Sequence, residues 1–274
     1  LRIFLSFILI LLANVSYCQF ENTDVGARPA GLNGAFTSLA DNSLAIFYNP
    51  AGLSQMKDRE VSFFYSPAPY GLTELSSAAV TYAEPTKYGT FGAAVKTYGY
   101  ELYREINGLV SYGNNYKGKI YYGANLNIYH LAIQNYNSAT AFGVDFGALA
   151  KLTDFLQWGF YAKNLTGSTI GQSKEKIAQV FRTGFTFKPR GDLNLILETE
   201  KDVKYAFSFR GAFEYSPVQF FQVRAGIGSE PTTFAAGAGF RYSIFQLDYG
   251  FQNNSDLGFT HQAALTINFG GLKK

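Results

Sequence analysis

Cysteine is all but absent from this 274-residue chain: Cys18 is the only one. It sits at the end of an apolar N-terminal stretch that reads as an export signal. The mature chain is therefore expected to carry no thiol, which excludes disulfides, thiol catalysis and cysteine metal sites. Histidine is nearly as scarce, with only His130 and His261. They fall on separate strand-like segments and have no cysteine partners, so no zinc site is expected. Charge is sparse too, at 16% of residues against about 25% in ordinary soluble domains. The net charge of +3 is too small to point to a nucleic-acid partner. Beyond residue 18 no apolar run reaches the roughly 18 residues a membrane helix needs. A Gly-x-Ser-x-Gly nucleophile elbow is missing, and so is a Gly-Lys-Ser/Thr phosphate loop. These absences argue against an enzyme and leave no cofactor to expect.

What the chain does have is aromatic residues, 17% of the total, and a distinct N-terminus. Arg2 precedes an apolar run over residues 3–13, and Ser16 and Cys18 are small residues at positions −3 and −1 of a cleavage site. Residues 1–18 read as a secretory signal peptide, leaving Gln19 as the new N-terminus. A lipoprotein anchor at Cys18 is disfavoured by the bulky Tyr17 before it.

From residue 60 onward, apolar and polar residues alternate. Phe221, Val223, Ala225 and Ile227 interleave with Gln222, Arg224 and Gly226; Phe245, Leu247, Tyr249 and Phe251 interleave with Gln246, Asp248 and Gly250. Period two places alternate side chains on opposite faces of a strand. Long alternating segments rich in Tyr, Phe and Gly are the pattern of a transmembrane antiparallel β-barrel, with lipid outside and a polar lumen inside. About fourteen such segments are counted, at 61–66, 74–83, 88–98, 103–114, 118–132, 139–151, 155–165, 178–188, 192–199, 205–215, 219–228, 232–242, 244–252 and 258–269. The even-numbered connections are short turns. Longer ones are expected at 67–73, 133–138, 166–177 and 253–257. Short turns on the periplasmic side and longer loops outside are the outer-membrane arrangement. Gly89, Gly92 and Gly99 mark a possible interruption of the third segment.

The alternation assigns faces. Tyr122, Leu126, Ile128, Phe142, Phe146, Phe207, Phe209 and Phe213 point to lipid. Lys96, Asp145, Lys163, Arg182, Glu198, Arg210, Glu214, Arg224, Arg241 and Asp248 point into the lumen, because Arg or Lys facing lipid at mid-membrane costs about 2–4 kcal/mol. Arg210, Glu214, Arg224, Arg241 and Asp248 fall on four consecutive segments. They are expected to form a charge ladder along the wall or to hold a plug; a cationic lumen for an anionic head group is the alternative. Residues 19–59 do not alternate. Their small residues read as an N-terminal segment folded inside the barrel, a hatch. It would hold a short helix near 30–40, a second short helix capped by Asp41 or Asn42, and a core of Phe36, Leu39, Ile46 and Phe47. The organisation is thus signal peptide 1–18, hatch 19–59 and barrel 60–274.

Within the hatch, Gly26-Ala27-Arg28-Pro29-Ala30-Gly31-Leu32-Asn33-Gly34, then Asp41, then Asn49-Pro50-Ala51-Gly52-Leu53, resemble the FadL-like outer-membrane superfamily. Within it the chain looks most like the PorV/PorQ branch of type IX secretion. The resemblance implies a fourteen-stranded barrel with an internal hatch in the outer membrane of a bacterial cell. It also implies one of two roles: accessory to secretion or surface attachment, with secretion machinery or secreted proteins as partners, or passive transport of long-chain fatty acids or other hydrophobic small molecules. The outer loops are short, and the rim charges Arg104, Glu105, 174–176 and 200–204 suit a protein partner, so the accessory role is the first expectation. Asn49 is expected to cap backbone groups where hatch meets barrel.

Overall fold

The computed structural model describes residues 18–21 and 24–270. The signal-peptide reading of residues 1–17 lies outside them. Fourteen antiparallel strands close into one barrel. They are β1 (Arg59–Ser66), β2 (Ser77–Thr86), β3 (Gly89–Gly99), β4 (Tyr103–Tyr116), β5 (Ile120–Ile133), β6 (Tyr136–Lys151) and β7 (Leu156–Lys163), then β8 (Val180–Arg190), β9 (Leu193–Asp202), β10 (Phe207–Val218), β11 (Phe221–Gly228), β12 (Thr233–Tyr242), β13 (Phe245–Asn254) and β14 (Gly258–Phe269). Each strand pairs with its sequence neighbours, and β14 closes on β1 from Ala263↔Tyr65 to Phe269↔Arg59. Closure pairs the backbone polar groups between strands, which a lipid environment requires.

The alternation appears directly in exposure. Phe209 is 59% exposed and Phe142 62%, while the lumen-facing neighbours Arg224 and Asp145 are 2% and 1% exposed. Leu126, Ile128, Phe185, Leu197, Leu247 and Phe259 continue the apolar exterior. An exterior of this kind is stable only against lipid. No described helix is long and apolar enough to cross a membrane; the strands do the crossing.

The connections differ from expectation in two places. Residues 133–138 are not a loop: β5 and β6 run on and meet at a tight hairpin around Gln134 and Asn135. The third strand is not interrupted. Gly89 pairs with Thr86 and Tyr98 with Ser77 in an unbroken register. The longest connection, between β7 and β8, contains two short strands, Thr169–Ile170 and Glu175–Ile177. The second pairs in parallel with Cys18–Gln19. This connection also covers part of the edge that β6 exposes above the end of β7, with Leu165 N donating to Val144 O at 2.8 Å and Ser168 Oγ to Phe142 O at 2.5 Å. An edge strand in a membrane wall cannot be left open.

The second layer of structure lies inside. Residues 24–55 are packed against the inward faces of the strands. They form helix α1 (Ala27–Gly31), a pair of turns, helix α2 (Ala45–Tyr48) and a 3₁₀ helix, Pro50–Gln55. The helix expected near 30–40 is shorter and earlier, because Asn33 and Gly34 adopt positive φ (54° and 78°) and end it. Neither Asp41 nor Asn42 caps α2 as expected: Leu44 holds the cap position with no side-chain cap, Asn42 accepts from Leu44 N at 3.1 Å in the turn before it, and Asp41 pairs with Arg28. Phe36, Leu39, Ile46 and Phe47 belong to the apolar core, with Tyr48 and Leu53.

Candidate functional site

The site is the contact between this inner segment and the barrel wall. Its first element is steric. On β4, β5, β6, β7, β11, β12 and β13 the wall is reduced to glycine where the segment passes. A Cβ at Gly113 would lie 2.7 Å from Pro50 O, one at Gly123 2.5 Å from Pro50 C, and one at Gly147 2.2 Å from Asn49 Oδ1. Gly159 would meet Ser38 Cα at 2.6 Å, Gly226 Leu32 C at 2.8 Å and Gly250 Ala27 O at 2.4 Å. Gly31 of the segment lies against Gly237 of β12, its added Cβ 3.0 Å from that Cα. Real Cβ atoms do not approach other atoms at 2.2–2.8 Å, so the segment is seated in a track cut to its backbone.

Hydrogen bonds are the second element. Asn49 behaves as a three-way clasp. Its Oδ1 accepts from Ala51 N at 3.2 Å, capping the 3₁₀ helix that begins at Pro50. Its Nδ2 donates to Thr37 O at 2.9 Å and to Ala148 O of β6 at 3.0 Å. Gly52 lies so close to Ala40 that a Cβ would sit 2.1 Å from its carbonyl oxygen. Elsewhere Ser43 N donates to Glu60 at 2.8 Å, and Ser43 Oγ lies 2.7 Å from Thr81 Oγ1. Ser38 Oγ lies 2.8 Å from Thr186 Oγ1. Gln157 donates to Ser38 O at 2.6 Å and Asn125 to Ile46 O at 2.8 Å. These bonds go to wall side chains around most of the barrel.

Ion pairs are the third. Arg28 forks onto Glu214 of β10, through Nε and Nη2 at 2.8 Å each, and reaches Asp41 at 2.5 Å. Burial works against the Arg28 cation, but Asp41 and Glu214 outweigh it and hold its pKa above the ordinary value. Glu214 also binds Arg224 of β11 at 2.7 Å, and Arg224 reaches over β12 to Asp248 of β13 at 2.6 Å. Gly239 opens that path: a Cβ there would lie 2.5 Å from Asp248 Oδ1. A second cluster joins Arg182 and Arg210 to Glu200, at 2.5 and 2.9 Å. Beside it, Glu198 accepts from Thr37 N at 2.8 Å. Gly34 fits here through its positive φ of 78° and because a Cβ would strike Arg210 Nη1 at 2.6 Å. Gly26, with φ 96°, precedes α1 against Leu44. Arg28 of the inner segment thus joins the wall pairs Glu214–Arg224 and Arg224–Asp248 in one network.

Arg241 faces the lumen mouth and bonds Gln246 at 2.7 Å. Lys96, Lys163 and Asp145 stand apart from the two clusters, around a polar chamber above Phe47. Phe20 caps this chamber, its N donating to Glu105 at 2.9 Å and its O accepting from Lys163 at 2.9 Å. The two cavities there measure only about 20 Å³ each and are lined by Lys96, Lys163, Asn107, Asn127 and Tyr161 among others. Asp145 accepts from Asn125, Tyr161 and Asn164 N.

Two rim assignments need correction. Glu105 is 6% exposed and faces the lumen, and Glu200 belongs to the buried ion cluster. Arg104, Lys174, Lys176 and Lys204 are exposed as expected. The glycine track was missed altogether. It carried a signal: Gly147 shares strand parity with Asp145, Gly226 with Arg224 and Gly250 with Asp248. Among the described residues no His, Cys, Asp and Glu group suits a metal ion.

No family model and no curated protein matches the chain in sequence. Solved structures do. The CymD monoaromatic hydrocarbon channel superposes with a TM-score of 0.69 at 10% identity, covering 93% of this chain and 100% of that one. The toluene transporter TbuX of Ralstonia pickettii gives 0.66 at 12% identity, with 91% and 100% covered. A FadL homologue from Pseudomonas aeruginosa gives 0.64 at 11%, with 90% and 98% covered. The fold is that of a FadL-type barrel of the bacterial outer membrane.

Proposed function

We propose that this chain is an outer-membrane passage for small hydrophobic compounds and that residues 24–55 are its hatch. The observation that carries the reading is the fit of a separable segment into a glycine-cut lumen, within an architecture shared with hydrocarbon channels and transporters. That likeness moves the preference away from the secretion role expected first. The lumen chamber is small and polar, whereas pockets for apolar ligands are mostly apolar and run to about 300–1,000 Å³. A hydrophobic solute therefore does not rest in the closed lumen; it crosses when the hatch shifts. In this orientation the short-turn rim faces the periplasm and the long β7–β8 connection faces outward.

The PorV/PorQ-like accessory role stays as a second reading. What favours it is the exposed charge on the outer rim, Arg104, Lys174, Lys176 and Lys204, which suits contact with another protein. A deletion strain scored for uptake of a monoaromatic hydrocarbon and for secreted or surface-attached proteins tests both. Lost uptake with intact secretion is expected. Lost secretion with intact uptake would replace the first reading with the second.

A further inference from the structure

The short-turn rim carries a notch that the passage of solutes does not use. β3 starts at Gly89, and its first ladder partners with β4 are Thr90↔Gly113, but β4 continues to Tyr116 paired with β5. The β4–β5 hairpin thus stands about a turn taller than the β2–β3 hairpin beside it. The step leaves a groove of about 930 Å³. Its lining comes from both sides of the wall. Ser54 belongs to the inner segment, Met56 and Lys57 to the link from it into β1, Thr90 faces the lumen, and Tyr88 and Phe91 face the bilayer.

The chemistry of this groove is cationic and aromatic. Lys57 and Lys87 are both exposed, and Asp58, exposed beside Lys57, is the one carboxylate next to them in sequence. Glu84, the acid nearest in sequence to Lys87, is taken by Arg59 at 2.7 Å and by Tyr82. Lys87 Nζ lies 4.9 Å from the centre of the Tyr88 ring, itself 68% exposed. The floor is stiff: Tyr112 and Asn114 donate to Tyr88 O at 2.6 and 3.1 Å, and Phe91 packs on Tyr112 with ring centroids 5.2 Å apart. Ammonium groups beside exposed aromatic rings, at the level where strands leave the hydrocarbon, match a phosphate headgroup above and acyl chains below.

We propose that the notch is a binding site for one anionic phospholipid of the leaflet at the short-turn rim, its phosphate on Lys57 and Lys87 and its chains along Phe91. The site does not depend on solute passage, and its orientation toward the periplasm rests on the topology given above. A compact acidic protein fits less well, because Tyr88 and Phe91 of the lining face the bilayer.

The test is retention of phosphatidylglycerol, against phosphatidylcholine, on the purified barrel in detergent, read by native mass spectrometry. A preference for phosphatidylglycerol is expected, and Lys57→Gln with Lys87→Gln should weaken it by roughly fivefold per lysine. Lys87→Arg should restore most of it. Lys119→Gln with Lys151→Gln removes equal charge from the same rim outside the notch and should leave retention unchanged. Heat-modifiable migration establishes that each variant is folded. Equal retention of both lipids, equal loss in both double variants, or full competition by inorganic phosphate at matched concentration would each overturn the proposal.

Discussion

Asn49 shows how much one side chain can settle. It joins three backbone groups, on the 3₁₀ helix, on the segment's turn at Thr37 and on the wall at Ala148. Replacing it by Leu keeps the bulk and strands those groups, at about 1–3 kcal/mol for each buried group left unpaired. Asn49→Leu should therefore leave the barrel folded but make residues 24–55 sensitive to added protease. Arg28→Met should act more strongly. It leaves Glu214 and Asp41 without their shared cation, and breaking a buried pair costs about 3–5 kcal/mol. Thermal unfolding of the refolded barrel in detergent should register that loss. The glycine track gives a paired comparison. Gly147→Val drives a side chain into Asn49, whereas Gly108→Val on β4 enters space with no heavy atom within 4 Å. Single-channel conductance should rise for the first and stay at the parent level for the second.

At the scale of elements, the strands were legible and the inner segment was only partly so, for a physical reason. A strand in a membrane wall repeats one rule every two residues, and lipid enforces it along the whole length. The fourteen strands and the inward side of charges such as Asp145, Glu214, Arg224 and Asp248 follow from that rule. Misplacing Glu105 and Glu200 came from reading them as loop-tip charges, although Glu105 keeps the parity of the inward Leu109 and Ser111. The inner segment has no period. Its course is set by contacts with strands far away in sequence, such as Asn33 with Thr233 at 2.8 Å and Arg28 with Glu214. Its glycine-rich motif was visible, but the matching glycines on the wall were not, because a strand glycine reads equally as a kink or as a seat. Gly92 was read as a kink and lies beneath Ile46, where a Cβ would meet that side chain at 2.9 Å. The wall rule has its own check. Leu126→Arg places a cation on the lipid face and should lower barrel stability by about 2–4 kcal/mol if it lies near the midplane. An effect near zero would place that position at the interface.

At the scale of the molecule, the barrel is a closed wall and the inner segment is a fitted but separate piece. Its attachments are hydrogen bonds and ion pairs that can be exchanged, over an apolar core of modest size. Passage of a solute as proposed requires movement of residues 24–55, and the molecule offers a direct way to prevent it. The mature chain is expected to carry no cysteine, and two hydroxyl pairs already span segment and wall, Ser43 with Thr81 at 2.7 Å and Ser38 with Thr186 at 2.8 Å. Ser43→Cys with Thr81→Cys, and Ser38→Cys with Thr186→Cys, place thiols where a disulfide can form across the seat. The decisive measurement is entry of toluene into proteoliposomes holding the doubly locked barrel, before and after reduction. Passage should be absent when oxidised and return to the parent rate when reduced. Equal passage in the two states would contradict a hatch that must move.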